Sequence, residues 1–305
     1  MNLKESAPAK VNLFLHVGDK RADGFHSVQS LAVFTDIGDT LGFAPAGELS
    51  LTLDGSFANS LSNGADNLVL RAAQVLAPPD LQAPGATIAL TKNLPVASGI
   101  GGGSADAAAA LRGLRSLWGL SLDDAKLGDI AASLGSDIPV CLGAAPAFME
   151  GRGEILRPVE SLPRLPLLLV NPGVAVPTAA VFAGLQDRSG VAATLPHGHF
   201  RDTADLLRFL ETTRNDLEAP ARVLAPVIGK VLGALAALPG ALLVRMSGSG
   251  ATCFGIFADD ACCARAAELL RAAGTDWWIA PTFVPETGIV HEIVGQDIGP
   301  TEGGL

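Results

Sequence analysis

The stretch GIGGGSADAAAALRGL, residues 99–114, places a knot of glycines directly before an alanine-rich segment. Four of its first five residues are glycine, which lacks a Cβ and tolerates positive φ angles, so successive backbone amides can point at one spot. Ser104 and Asp106 suit the start of a helix, and the leucines from Leu111 onward recur at the spacing of one buried helical face. The free amides and the positive end of the helix dipole therefore predict an anion site that is open to a phosphate.

Two familiar phosphate-binding loops do not match this stretch. A Walker A loop requires lysine and then serine or threonine after its last glycine, whereas Gly103 is followed by Ser104 and Ala105. A dinucleotide fingerprint requires glycine where Ser104 stands. A flexible linker is an alternative, but the run lies between a strand-like segment, ATIALTKN at 86–93, and a helix, which favours a ligand loop. A second glycine stretch, SGSGATCFG at 247–255, predicts the tight turn of a hairpin.

Composition and charge narrow the class of protein. The 305 residues carry a formal net charge of −10, which disfavours broad binding to nucleic acid and requires a phosphate site to create its own local positive potential. No apolar run reaches the roughly 18 residues of a membrane span, and the N-terminus does not resemble a secretory signal. We therefore expect a cytoplasmic protein that binds neither membranes nor nucleic acid. The cysteines lack metal-ligand spacing and are expected to be buried free thiols: Cys141, Cys253, Cys262 and Cys263.

Two helix starts can be assigned from local signals. The segment DNLVLRAAQVLA at 66–77 predicts a helix that begins near Asp66 or Asn67. Ser121 with Asp124 three residues later predicts a capping box at the start of the helix LDDAKLGDIAASLG, residues 122–135. Both predictions place polar cap residues just before apolar helical repeats.

The order of the segments predicts the fold class. Strand-like and helix-like segments mix without strict alternation, so we expect an α+β fold. Prolines cluster at 157–166, which predicts a domain boundary. The expected organisation is therefore an N-terminal domain at 1–156, a C-terminal domain at 157–285 and a flexible tail at 286–305.

Several motifs together carry a resemblance to a known family. PVASGIGGGSADAA at 95–108 resembles the ATP loop of the small-molecule kinases named for galactokinase, homoserine kinase and mevalonate kinase, the GHMP kinases. The opening APAKVNLFLHVGDKRADGFH at 7–26 narrows the resemblance to their branch in the non-mevalonate isoprenoid pathway. It continues in the same order through LGSDIPVCL, AAPAFMEGRGEIL, VNPGVAVPT and RMSGSGATCF, and spans roughly residues 6–285.

The resemblance implies a two-domain GHMP-kinase-like fold with the active site in the cleft between the domains. It also implies ATP and Mg²⁺ as cofactors, and phosphoryl transfer to the 2-hydroxyl of a methylerythritol unit on a small molecule that carries a cytidine diphosphate. At the matching positions, Lys10 in APAKVN and Asp137 in LGSDIP are implied to be the catalytic residues. No metal ligand is assigned.

The resemblance further implies the binding residues. The ATP loop comprises Pro95, Val96, Ala97, Ser98, Gly99, Ile100, Gly101, Gly102, Gly103, Ser104 and Ala105. Asn67 and Lys92 fall near the nucleotide. The residues that fall where the family holds its cytidine-bearing substrate are Asn12, Phe25, His26 and Thr178.

One position departs from the family pattern. The family usually has tyrosine where this chain has Phe25, and the chain contains no tyrosine. Stacking on cytosine needs only the ring face, so we expect Phe25 to serve without the polar contact that a tyrosine hydroxyl would make. Asn215 and Asp216, in RNDLEAP, match a recurrent motif of the family and are interpreted as a helix cap.

Three other functions are alternatives. The first is a kinase of the same superfamily with a mevalonate-type or homoserine-type acceptor, which the DGFH and APAKVN motifs disfavour. The second is a nucleotide-binding protein without chemistry, which the presence of both Lys10 and Asp137 disfavours. The third is an oxidoreductase on a dinucleotide fold, which the missing fingerprint disfavours. We expect the protein to be a monomer or a weak homodimer.

Overall fold

The computed structural model describes residues 3–22, 24–77, 85–185, 194–196 and 198–286. The predicted flexible tail lies almost wholly outside these residues. The strands are β1 (Leu3–Lys20), β2 (His26–Ala46), β3 (Leu49–Asp54), β4 (Gly85–Thr91), β5 (Ala147–Glu150), β6 (Ile155–Pro158), β7 (Leu165–Asn171), β8 (Ala241–Met246), β9 (Cys253–Phe257) and β10 (Trp278–Val284). The α-helices are α1 (Leu68–Leu76), α2 (Gly102–Leu117), α3 (Asp124–Leu134), α4 (Ile138–Gly143), α5 (Thr178–Ala183), α6 (Thr203–Glu211), α7 (Glu218–Leu224), α8 (Val227–Ala236) and α9 (Asp260–Ala272).

The first sheet is built on a long antiparallel pair, β1 and β2. Its strand order is β3-β4-β2-β5-β6, with β1 paired along β2. The start of β1 pairs with the end of β2, where Leu3 lies opposite Phe43. The register shifts between Pro8 and Lys10, so β1 bends where the catalytic lysine is predicted.

Helix α2 packs against this sheet and against α1 and α4. Residues Ala105 to Leu111 of the helix are all buried, which accounts for the run of alanines, because larger side chains would hold the neighbouring elements apart. At Gly113 a Cβ would lie 2.4 Å from the ring of Phe43, so the helix and β2 approach too closely for any side chain. The alanine-rich segment is therefore a core helix whose start is held firmly in place.

The second sheet has the order β10-β7-β9-β8 and is antiparallel. Every residue of β7 is buried, as its continuous apolar sequence predicts. One hydrophobic cluster joins the two sheets and includes Val11 and Leu13 of β1, Leu167 and Leu169 of β7, and Phe254 of β9. The two sheets therefore share a core, and the proline cluster at 157–166 runs between the last strand of the first sheet and β7.

The mixture of helices and sheets confirms the α+β prediction. The predicted capping box is wrong, because α3 begins at Asp124 and its N-cap is Asp123, whose side chain accepts from the Lys126 amide at 2.8 Å. Asp123 takes this role from Ser121 because it directly precedes the first helical residue. Of the two candidate caps for α1, Asn67 serves, accepting from the Val69 amide at 2.9 Å.

All four cysteines are free, and three of them are buried. Cys262 is only half-buried, so the prediction of buried thiols holds for the other three. Burial raises the pKa of Cys141 to about 12 and that of Cys263 to about 11, so both thiols stay protonated near neutral pH. Among the described residues, none of the helices has the length and apolar character to cross a bilayer.

Candidate active site

A cavity of about 610 Å³ opens at the start of α2 and is lined by residues of the first sheet and by loop and helix residues from both halves of the chain. Lys10 and Asn12 of β1 form part of its wall, and the predicted ATP loop forms another part. Residues of the second half of the chain, including Thr178 at the start of α5 and Ser249 in the second glycine stretch, complete it. The cavity therefore brings together segments that are more than 200 residues apart in sequence.

The backbone of the ATP loop adopts conformations that require glycine. Gly101 has φ +64° and precedes the first helical residue of α2, and Gly99 has φ +77°. A Cβ on Gly99 would lie 2.5 Å from the carbonyl oxygen of Ser247, so the loop is pressed against the second glycine stretch. The amides of the first turn of α2 have no partner within the helix. Gly101, Gly102, Gly103 and Ser104 line the cavity, which makes this turn a site for an anion.

Lys10 and Asp137 meet at this cavity. The Lys10 Nζ atom lies 2.7 Å from Asp137 Oδ2, although 127 residues separate them. The Lys10 side chain is 3% exposed and that of Asp137 is 39% exposed. Asp137 occupies the N-cap position of α4, but its side chain makes no capping hydrogen bond. The carboxylate is therefore not occupied by helix capping and is accessible from the cavity.

Lys92 has different surroundings. Its Nζ donates to Asp39 Oδ2 at 2.5 Å and to Asp106 Oδ2 at 2.6 Å, and all three side chains are buried. The other oxygen of Asp39 accepts from the amides of Asn93 and Leu94. Burial acts to lower the pKa of Lys92, but the carboxylates of Asp106 and Asp39 outweigh it and raise that pKa. We call Lys92, Asp39 and Asp106 the buried triad.

The buried triad links β2, the residue that follows β4 and the second turn of α2. Burial raises the pKa of Asp106 to about 7, against the opposing effect of the Lys92 ammonium, and Asp39 adds to the rise. Asp106 lines the cavity, and its Oδ1 atom is buried without a hydrogen-bond partner. Lys92, which was predicted to lie near the nucleotide, also lines the cavity. Its positive charge is already paired with two carboxylates.

The residues predicted to hold the acceptor come from β1, from the start of β2 and the residue before it, and from α5. The Asn12 side chain donates to Ser30 Oγ at 2.7 Å. The Thr178 hydroxyl lies 2.8 Å from the Ser249 hydroxyl. Both Asn12 and Thr178 line the cavity. The second glycine stretch is the hairpin turn that its sequence predicts, but it also forms part of the cavity wall.

Phe25 and His26 are not themselves among the residues that line the cavity, but each lies against a residue that is. The His26 ring lies 5.6 Å from the Phe182 ring, at an angle of 31°, and its Nδ1 lies 3.1 Å from the Gly18 carbonyl oxygen. The Phe25 side chain is 51% exposed, and the Arg152 guanidinium carbon lies 5.4 Å from its ring centre. Phe182 and Arg152 both line the cavity, and neither stands out in the sequence.

The interpretation of Asn215 and Asp216 as a helix cap is wrong, because the N-cap of α7 is Leu217 and no side chain caps this helix. Asn215 instead joins three segments of the chain. Its side-chain oxygen accepts from the Leu217 amide at 3.0 Å, while its amide group donates to the carbonyl oxygens of Met246 and Gly248. Asp216 accepts from the Val17 amide at 2.8 Å. These hydrogen bonds connect the RNDLEAP segment to the second glycine stretch and to β1. The segment therefore helps to hold in place two parts of the chain that contribute to the cavity wall.

Comparison with known proteins shows the family to which the chain belongs. The family models for the GHMP kinases N terminal domain and the GHMP kinases C terminal match residues 67–145 and 191–275. The 4-diphosphocytidyl-2-C-methyl-D-erythritol kinase of Paramagnetospirillum magneticum is 51% identical, over 90% of this chain and 96% of the relative. The enzyme of that name from Parvibaculum lavamentivorans is 50% identical, again over 90% and 96% of the two chains.

Solved structures give the same result. A crystal structure of 4-(cytidine 5'-diphospho)-2C-methyl-D-erythritol kinase superimposes with a TM-score of 0.74 and 33% identity, covering 92% of this chain and 99% of the other. The homoserine kinase of Cytophaga hutchinsonii superimposes with a TM-score of 0.69 at 19% identity, covering 96% and 97%, and shows the fold alone. The chain therefore belongs to the 4-diphosphocytidyl-2-C-methyl-D-erythritol kinases, a family of the GHMP kinases.

Proposed function

We propose that this kinase transfers the γ-phosphoryl group of ATP to the 2-hydroxyl of 4-diphosphocytidyl-2-C-methyl-D-erythritol. The observation that carries the proposal is the 2.7 Å contact between Lys10 and Asp137 beside the start of α2. A helix start that binds phosphates, an ammonium and an accessible carboxylate are the parts that phosphoryl transfer to an alcohol requires. Use of ATP follows from membership of the kinase family.

The chain's own residues supply alignment and charge. We assign the β- and γ-phosphates to the amides of Gly101 to Ser104 and the nucleoside to the part of the cavity wall around Asn67. Asp137 accepts the proton of the acceptor's 2-hydroxyl, and the hydroxyl oxygen forms a bond to the γ-phosphorus of ATP. The bond between the γ-phosphorus and the β–γ bridging oxygen breaks, and ADP leaves. The Lys10 ammonium stabilises the negative charge on the phosphoryl group in transfer.

The start of α2 also fits a magnesium ion that accompanies ATP. Among the described residues, no group of three or more His, Cys, Asp or Glu side chains forms a metal site. Mg²⁺ in kinases is held mainly by phosphates and waters with one or two protein oxygens, so such a group is not needed. The buried Oδ1 of Asp106, which lacks a hydrogen-bond partner, and the Ser104 hydroxyl would hold it. When bound, Mg²⁺ supplies positive charge to the phosphates.

The acceptor end of the cavity suits a cytidine. The Phe25 and Phe182 rings offer apolar faces, and His26 offers a ring nitrogen beyond the one that faces Gly18. Asn12 and Thr178 add polar groups to the wall of the same cavity. We assign the base to the aromatic side chains and the methylerythritol unit to the neighbourhood of Lys10 and Asp137.

An ADP-release assay tests the proposal. We expect ATP turnover to require 4-diphosphocytidyl-2-C-methyl-D-erythritol, with homoserine and mevalonate giving no stimulation at the same concentration. Phosphorus NMR of the product should show a new phosphomonoester on the 2-hydroxyl. Stimulation by mevalonate or homoserine in place of the cytidine-bearing acceptor would refute the substrate assignment. Binding of ATP without turnover under any of these conditions would refute the enzymatic one.

A further inference from the structure

Among the described residues that line the cavity, one cation is not closely matched by a carboxylate. The cationic residues of this lining are Lys10, Lys92 and Arg152. Lys10 lies 2.7 Å from Asp137, and Lys92 lies within 2.6 Å of two carboxylates. The nearest ion pair of Arg152 joins its Nε to Glu154 Oε1 at 3.9 Å, the outer limit of such a contact. Its guanidinium therefore keeps most of its capacity to bind an anion.

Glu154 is held by the backbone rather than by this guanidinium. Its Oε2 accepts from the Arg152 amide at 2.6 Å, which fixes the carboxylate against the turn between β5 and β6. The Arg152 side chain is 36% exposed and extends over the ring of Phe25, with 5.4 Å between the guanidinium carbon and the ring centre. The guanidinium is thus oriented by an aromatic face and retains its forked set of N–H donors.

The turn that carries Arg152 lies between the two ends of the acceptor site. The Gly151 carbonyl accepts from the Val28 amide at 2.6 Å, close to His26 in the chain. On its other side, a Cβ placed on Gly153 would lie 3.4 Å from the carbonyl oxygen of Ser136, the residue before Asp137. Arg152 is therefore located between the aromatic side chains and the reacting carboxylate.

We infer that Arg152 binds the diphosphate of the acceptor, an inference that rests on the proposed function. In that acceptor the diphosphate joins the cytidine to the methylerythritol unit, so it must cross the space between Phe25 and Asp137. A guanidinium pairs with phosphate oxygens through two parallel hydrogen bonds. The net charge of −10 opposes such an anion, so a local cation is needed to hold it. Arg152 is thereby a specificity-determining residue that selects a nucleoside diphosphate over the bare nucleoside.

The test compares two unreactive probes, cytidine diphosphate and cytidine, by titration calorimetry with the nucleotide site filled by a non-hydrolysable ATP analogue. Arg152→Gln should weaken binding of cytidine diphosphate by about 10- to 100-fold and that of cytidine by less than about threefold. Arg152→Lys should keep part of the preference, because it retains the charge but loses the fork. In turnover, Arg152→Gln should raise KM for the acceptor while kcat and KM for ATP change less than about threefold.

Arg164→Gln is the matched control. Arg164 also stacks on an aromatic ring, with its guanidinium carbon 3.5 Å from the Phe283 ring centre, and it pairs with Asp260 outside the cavity. Its substitution should leave both probes bound as in the parent protein. Equal loss of both probes in Arg152→Gln would assign Arg152 to support of Phe25 and overturn the inference, as would unchanged binding of cytidine diphosphate. Either result in a protein that still phosphorylates the acceptor would leave the proposed function standing.

Discussion

Two lysines under the same helix start have opposite surroundings. Lys10 faces one carboxylate, that of Asp137, which is 39% exposed, whereas Lys92 lies between the buried carboxylates of Asp39 and Asp106. Both lysines are themselves almost inaccessible to solvent. The difference therefore lies in the partner. A carboxylate that reaches the cavity can exchange its contact with lysine for one with a substrate, whereas two buried carboxylates hold their lysine in place.

The energetics of the two pairs follow from this difference. Removing one member of a buried ion cluster leaves an uncompensated charge in a medium that cannot solvate it, which is strongly destabilising. Replacing the Asp137 carboxylate by an amide of the same shape leaves a smaller deficit, because the amide oxygen can still accept from the Lys10 ammonium at the cavity wall. We therefore expect substitutions at the Lys10–Asp137 pair to change turnover and substitutions at Lys92 and Asp39 to change folding stability. Asp106, which we propose as a Mg²⁺ ligand, should affect both.

The largest expected effect is on turnover in Asp137→Asn. The amide keeps the shape of the side chain but cannot accept the hydroxyl proton, so kcat should fall by about 10² to 10⁴-fold. The affinity for ATP should stay within a few-fold, and the melting temperature should change little, because the carboxylate makes no capping bond. Steady-state kinetics and thermal unfolding measure the three quantities. Asp124→Asn, at a carboxylate that is 93% exposed on α3, is the control. Near-normal kcat in Asp137→Asn would remove this residue from the role of base.

The next effect is on stability in Lys92→Met. Methionine fills a similar volume but leaves two buried carboxylates without a cation, so the free energy of unfolding should fall by about 3–5 kcal/mol. Urea denaturation followed by tryptophan fluorescence measures the change. Lys126→Met, at a side chain that is 67% exposed, should change it by less than about 0.5 kcal/mol.

The same variant distinguishes two roles for Lys92. If Lys92→Met kept its stability and lost only affinity for ATP, the lysine would bind the nucleotide directly, as the family resemblance implies. The loss of stability that we expect would instead assign it to the placement of α2. The two lysines would then differ in role as they differ in their partners.

We call Lys10 and Asp137 the open pair. The sequence predicted this pair better than the buried triad. Lys10 and Asp137 stand in motifs whose residue order resembles that of a known family, so their roles could be carried over position by position. The contact between Lys92 and Asp39, 53 residues apart, depends on how β2 and β4 align in the sheet. No local pattern encodes that register. The triad could therefore be found only from coordinates.

The same limit applies to the rest of the site. The glycine run and the alanines after it predicted a helix start and a core helix, because backbone conformation and close packing are local requirements. Phe182 and Arg152 were missed because an isolated aromatic or arginine has no distinctive pattern. The second glycine stretch was predicted only to be a turn, but it also lines the cavity. Its Ser249 lies between two glycines, so that a hydroxyl stands next to exposed backbone amides, as Ser104 does after the first glycine run.

The pH dependence of stability should separate the triad from the open pair. The pKa of Asp106 is raised to about 7 in the folded protein, from an ordinary value of 3.8, so the folded state holds its proton more tightly than the unfolded chain. The stability that this carboxyl contributes is full below about pH 4 and is lost as the pH rises through about 7.

The comparison is between the parent protein and Asp106→Asn, without added Mg²⁺. The unfolding free energy of the parent protein relative to Asp106→Asn should fall by on the order of 1–4 kcal/mol between pH 4 and pH 7. Titrations of groups that do not interact with Asp106 cancel in this difference. Denaturation at several pH values measures it, and a difference that stays constant across the range would contradict the raised pKa.

The smallest effects come from two adjacent glycines, each of which faces one of the lysines. A Cβ on Gly101 would lie 3.1 Å from Lys10 Cβ and 3.2 Å from its Cε, while a Cβ on Gly102 would lie 3.1 Å from Lys92 Nζ. Gly101→Ala should displace Lys10 and lower kcat by about tenfold, with about 1–2 kcal/mol of strain from its positive φ. Gly102→Ala should cost about 1–2 kcal/mol of stability, because the Nζ that it crowds is held by two carboxylates and cannot retreat.

Gly103→Ala is the control for both, since its Cβ would make only an ordinary contact, 3.6 Å from Leu68 Cδ1. Its stability should stay within about 0.5 kcal/mol of the parent protein. Kinetics and urea denaturation on the three variants give a direct measure of how far the two lysines are independent. If Gly102→Ala lowered kcat as much as Gly101→Ala at unchanged stability, the buried triad would belong to the reacting centre rather than to the scaffold, because crowding its ammonium would then affect the chemistry and not the fold.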